Sequence, residues 1–160
     1  MDAFLGVLFR WLHIVPAAIV IGGVFVMRVV LPIGLSVVEP DHQQTVFLRC
    51  RRVFKMAVHT SILFLLVSGG YNTWSNWAIY KETVPWSHAF WGPHVVLGLT
   101  AMAISLYVLA GKEPPKSHAK LMAGNLVLLL IVVFAASATK WVRDHPARYY
   151  HHSVAVPSMK

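Results

Sequence analysis

Four histidines stand in or beside long apolar runs: His13, His59, His94 and His118. An imidazole inside a bilayer is costly unless it has a partner, so each is a candidate functional group. Imidazole nitrogen ligates transition metals and haem iron. If the runs cross a membrane in alternating directions, the histidines sort by depth. His13 and His94 then lie near one side, His59 and His118 near the other. Each pair could supply the two axial ligands of a haem b in a helix bundle. The sequence therefore predicts one or two haems b per chain, with iron held by His13 and His94 and by His59 and His118. With a 1.5 Å rise per residue and a hydrocarbon core about 30 Å thick, the two levels would lie about 10–15 Å apart, a spacing suited to electron transfer.

Cations could complete such sites. Haem propionates are anionic, and guanidinium suits bidentate carboxylate recognition. Arg10 and Lys140 fall at the first level, and Arg28, Arg52 and Lys55 at the second. The plainer role for each is snorkelling to lipid phosphate. His88, in an aromatic lead-in, is a substitute ligand for the first level. His42, His145, His151 and His152 read as exposed; the last three could catch a transition metal, though paired tail histidines are more often solvated. Cys50 is the only cysteine, which rules out an intrachain disulfide and a cysteine zinc site. No His-Glu-x-x-His motif is present.

The elements that must position these groups follow from composition. The chain has 160 residues, 57% hydrophobic and 12% charged, against about 25% charged in soluble domains. Its net charge is +8, but the basic residues collect at the ends of apolar runs. That pattern suits anchoring at lipid headgroups rather than a nucleic-acid face. The uncharged windows are 11–27, 56–80, 83–111 and 121–139. A spanning helix needs about 20 apolar residues, and backbone groups in lipid must be satisfied within the segment. The expected fold is all-α: an integral-membrane four-helix bundle of antiparallel up-down topology. Its helices fall at about 4–35, 53–77, 89–110 and 118–141 within one domain, 1–144, followed by a basic histidine-containing tail, 145–160. Met1-Asp2-Ala3-Phe4 lacks a basic n-region, so the first run reads as a retained span rather than a signal peptide.

Pro16 is expected to kink helix one, and Glu39–Lys55 reads as a polar, basic loop. Tyr71, Trp74, Trp77, Tyr80, Trp86 and Trp91 crowd the next connection, 71–91. They suit an interfacial belt, with a quinone-binding or partner-docking surface as the alternative. Six basic residues lie on the side of the termini (Arg10, Lys81, Lys140, Arg143, Arg148, Lys160) and eight on the other (Arg28, Arg49, Arg51, Arg52, Lys55, Lys112, Lys116, Lys120). The positive-inside rule then makes the second side cytoplasmic and puts both termini outside. The stripe His94, Gly98, Ala101 and Ser105 would leave room for a flat macrocycle or allow close helix packing. His59 shares its stripe with Leu63, Leu66 and Gly70.

Arg10-Trp11-Leu12-His13 followed by Gly22-Gly23-Val24-Phe25-Val26-Met27-Arg28 resembles the first helix of the copper-resistance protein D-like membrane superfamily. That superfamily is similar to the four-helix, haem-associated protoporphyrinogen oxidase type (HemJ type). Looser matches are Arg51-Arg52-Val53-Phe54-Lys55, Ser68-Gly69-Gly70 and Trp91-Gly92-Pro93-His94. In the oxidase type a helix-one histidine is associated with haem b, and the resemblance implies that role for His13. The oxidase pattern has a lysine just after the aromatic start of helix three; His94-Val95-Val96-Leu97 has none.

The extra histidines favour a haem b-binding membrane cytochrome, an electron-transfer oxidoreductase working between quinone or another carrier and a partner. The setting expected is the bacterial inner membrane. Candidate partners are the lipid bilayer, a quinone, a redox protein and a second copy of the chain, with no nucleic acid. Three alternatives stand beside this reading. One is a protoporphyrinogen oxidase-like enzyme gripping substrate carboxylates with Arg10 and Arg28. Another is a copper transport or resistance module using His13, His59 and Met27. The third is a structural subunit whose histidines merely bond between helices.

Overall fold

The computed structural model describes residues 2–82, 86–110 and 116–145. Nearly all of them are helical, with no strand among the described residues. The first helix, α1 (Asp2–Phe25), continues through a π turn (Val26–Val30) into α2 (Leu31–Leu35). After a short turn come α3 (Pro40–Ser75), the small α4 (Trp77–Glu82), α5 (Trp86–Ala110) and α6 (Lys116–Asp144). Four segments are long and apolar enough to cross a membrane: Phe4–Leu35, Pro40–Ser75, His88–Leu109 and Ala119–Asp144.

Two local features differ from the sequence reading. The first rod stays α-helical through Pro16, and its irregularity falls at the π turn before Pro32. Pro32 has no N–H for the Arg28 carbonyl, and its ring would crowd that carbonyl in a regular α-helix. The ladder widens instead, and the Leu31 N–H reaches back to the Val26 carbonyl. The second difference is larger: the expected loop Glu39–Lys55 is helical from Pro40 onward. Proline at the start of the helix and Asp41 in its first turn suit a helix N-terminus. Charge bars a segment from the bilayer, not from helix. At 36 residues, α3 is about 54 Å long and outreaches a hydrocarbon core of about 30 Å.

Packing is closest between α1 and α3 and between α5 and α6, with lighter contacts from α1 to α6 and from α3 to α5. Phe9 stacks on Tyr71 with ring centroids 3.9 Å apart, and His13 meets Ser68. Farther along α1, Gly23 lies under the Phe54 ring. On the other pair, His94 meets Val132 and Ser105 meets Asn125. Val20, Val24, Phe54, Val58, Ala101 and Leu129 are among the buried core residues. Large apolar side chains such as Ile33, Leu63 and Phe134 point outward instead, which suits contact with lipid rather than water.

At the aromatic end, Trp77 meets Trp91 edge to face with centroids 6.2 Å apart. The Trp91 indole donates to Thr73 Oγ1 at 3.4 Å. Tyr80 is buried beside this cluster. Burial raises its hydroxyl above the ordinary pKa near 10, and the Arg143 guanidinium within hydrogen-bonding reach opposes the rise.

Candidate metal-ligating histidine pair

The structure brings His13 of α1 and His94 of α5 together. Their ring centroids lie 6.2 Å apart, with the planes 53° from parallel. Each ring is tied down at Nδ1 by a different neighbouring helix. His13 Nδ1 lies 3.0 Å from Ser68 Oγ on α3. That hydroxyl gives its own proton to the Phe64 carbonyl at 2.5 Å, so it accepts from Nδ1–H of His13. His94 Nδ1 lies 3.1 Å from the Val132 carbonyl on α6. A carbonyl only accepts, so His94 also carries its proton on Nδ1.

The consequence is chemical. An imidazole that donates from Nδ1 keeps its lone pair on Nε2 when neutral, the arrangement in which an outer-shell partner readies a histidine as a metal ligand. Two imidazoles bonded to one metal ion at about 2 Å each, from opposite sides, would place their ring centroids about 6 Å apart. The observed 6.2 Å meets that requirement. Gly69 lies beside the ring: a Cβ there would meet His13 Cε1 at 3.4 Å, an ordinary van der Waals contact.

The second expected pair is not assembled among the described residues. His59 is exposed, and its Nδ1 donates to the Lys55 carbonyl of its own helix at 2.7 Å. The helical phase explains this: α3 buries Phe54, Val58, Ser61, Ile62, Leu65 and Ser68. His59, one residue past Val58, is turned about 100° from it. The side chain of His118 lies outside the described residues.

The expected cations are also distributed differently. Arg10 is exposed, one turn before His13. Lys140 is exposed and already paired with Asp144, which Arg143 also approaches at 3.5 Å. Arg28 is half-buried and donates through Nε to the Ala119 carbonyl at 3.0 Å. Arg52 and Lys55 are exposed. Of the remaining histidines, His88 is exposed, His42 lies 3.9 Å from Glu39 and His145 stacks on Trp141. His151 and His152 lie outside the described residues. No group of three or more His, Cys, Asp or Glu able to hold a metal ion occurs among the described residues.

Three polar features escaped the sequence reading. In sequence Ser68 stands out only as part of Ser68-Gly69-Gly70, yet it orients His13. Arg51, beside the cations assigned to haem, instead donates to the Val108 and Leu109 carbonyls near the end of α5. Unpaired carbonyls at a helix C-terminus favour such a cation. Asn125, only 2% exposed, donates to Ser105 Oγ at 2.9 Å, and Ser105 donates to the Ala101 carbonyl at 2.8 Å. This polar clamp joins α5 to α6. It also decides the role of the small-residue stripe. Ala101 is fully buried, and a Cβ on Gly98 would lie 3.8 Å from Val132 Cγ1. The stripe serves close packing of α5 on α6.

No protein-family model, curated protein or solved structure matches this chain.

Proposed function

We propose that the chain is an antiparallel up-down four-helix bundle in a bacterial inner membrane that binds one haem b between His13 and His94 and transfers electrons. The observation that carries this reading is the pair of Nδ1-anchored rings with centroids 6.2 Å apart. Haem b, if bound there, would be held by His13 and His94 and would supply an iron that changes oxidation state by one electron. The chain's own contribution is orientation. Ser68 and the Val132 carbonyl hold the two rings in one tautomer, so neither must reorganise as charge passes. Arg10 is the cation left at that level to receive a propionate, because Lys140 is engaged by Asp144.

A quinone or another carrier would deliver electrons near the aromatic end, and a redox protein or a second copy of the chain would accept them. Both termini face outward by the count of basic residues. The test is a reduced-minus-oxidised visible spectrum of detergent-purified protein, with haem, copper and protein quantified on the same sample. We expect sharp low-spin b-type bands and about one haem per chain. His13→Ala and His94→Ala should each lose them, while His59→Ala should keep them. Absence of Soret absorption after haem-supplemented expression refutes the proposal, and copper in its place assigns the pair to copper handling.

A further inference from the structure

The histidine site leaves Arg28 without a role. Arg28 lies fifteen residues beyond His13, about 22 Å along a helix axis, too far to serve a group held between His13 and His94. Its surroundings are nevertheless built. Arg28 is the central residue of the π turn Val26–Val30, and such turns recur at functional sites because the added residue redirects side chains. The bond from its Nε to the Ala119 carbonyl ties the guanidinium to the first part of α6. There it stands in an open groove of about 480 Å³ between the first rod and α6. Val29, Pro32 and Ile33 form one wall, and Ala123, Leu126 and Val127 form the other. Among the described residues, Arg28 is the only charged one lining the groove. Lys120, exposed beside Ala119, adds a second positive charge on the adjoining turn.

We propose that this groove binds one anionic phospholipid, with its phosphate on Arg28 and an acyl chain along the apolar walls. With Nε committed to Ala119, the two terminal nitrogens keep four N–H donors for another acceptor. A planar fork of that kind suits bidentate phosphate recognition. Free aqueous phosphate would leave the six apolar lining residues unused. A neutral quinone would leave the charges of Arg28 and Lys120 unmatched. Basic pockets between spanning helices on the cytoplasmic side take lipid head groups by the same logic, and the count of basic residues assigns Arg28 to that side.

The test is native mass spectrometry of full-length, delipidated protein titrated with phosphatidylglycerol, with helix content checked by circular dichroism. One lipid should bind at least about tenfold more tightly than those that follow, and Arg28→Gln should remove that preference. Ala123→Phe, which fills the groove without touching the charge, should remove it as well. Arg49→Gln, an exposed cation on α3, should leave it intact. Equal first-lipid affinity for wild type and Arg28→Gln overturns the proposal. Equal weakening by Arg49→Gln also overturns it, by showing diffuse attraction to head groups. Displacement of the lipid by equimolar decylubiquinone overturns the phosphate assignment and gives the groove to a quinone. The readout involves no redox step, so a protein that proved free of haem would leave this result standing.

Discussion

Ser68→Ala tests the histidine pair at the point where its geometry is set. Ser68 Oγ accepts the Nδ1 proton of His13 at 3.0 Å, and alanine removes the acceptor while adding no bulk. The Phe64 carbonyl loses only the extra hydroxyl bond and keeps its helical N–H partner, so α3 should remain intact. Leaving a buried donor unsatisfied costs about 1–3 kcal/mol. Loss of an outer-shell partner to a metal-bound histidine lowers affinity about 10–100-fold, which converts to about 1.4–2.7 kcal/mol. The two routes agree, so haem affinity of Ser68→Ala should fall by one to two decades in a titration of the haem-free protein. The midpoint potential should rise, because a histidine that no longer donates from Nδ1 is a weaker electron donor to ferric iron. Ser68→Thr keeps the hydroxyl and should restore both. Haem affinity within twofold of wild type, with an unshifted potential, would refute the tautomer argument. A fall in melting temperature alone would reduce Ser68 to a packing residue.

Two further perturbations test the scaffold. At Gly23 an added Cβ would lie 2.2 Å from Phe54 Cε2 and 2.6 Å from Cδ2, and Phe54 is itself buried. Gly23→Ala should therefore cost about 1–3 kcal/mol by overpacking, measured by thermal unfolding in detergent. Gly22→Ala, which meets nothing within 4 Å, is the control, and equal melting of the two variants would contradict the assigned face of α1. At alkaline pH, Tyr80 should keep its proton past the ordinary value near 10, since burial raises its pKa. The unfolded chain then loses this proton first, so the stability Tyr80 contributes is complete below about pH 10 and falls as pH rises through its folded pKa. Tyr80→Phe should flatten that alkaline loss in pH-dependent melting, and an unchanged slope would contradict it.

The membrane helices were legible because lipid imposes a simple demand. A segment either satisfies its own backbone and carries apolar side chains, or it stays out. Uncharged windows therefore located the four long helices, and only their ends went astray. Charge at Arg49, Arg51, Arg52 and Lys55 reads as loop in sequence and hides the α3 start at Pro40. Charge disfavours burial in lipid, but it does not disfavour helix. The π turn was missed for a different reason: proline announces a disturbed ladder, but Pro16 and Pro32 look alike in sequence. Both lie in the first rod, yet only the ladder before Pro32 widens.

Depth and facing are separate questions for the histidines, and sequence answers them unequally. Depth follows from chain direction alone, which is why His13 and His94 could be paired in advance. Facing depends on helical phase, and helices that are apolar nearly all round offer a weak phase signal. A better signal was present in side-chain size. Spanning helices approach one another through small residues and leave bulky aliphatic ones for lipid. His94 shares a stripe with Gly98, Ala101 and Ser105, and the last two are buried. His59 shares its stripe with Leu63 and Leu66, which are 61% and 49% exposed. Reading the stripe before the histidine would have turned His94 inward and His59 toward lipid. The partners that orient the two histidines are beyond such a rule. The Val132 carbonyl belongs to every residue type alike, and Ser68 becomes an acceptor only because Phe64 has already taken its proton.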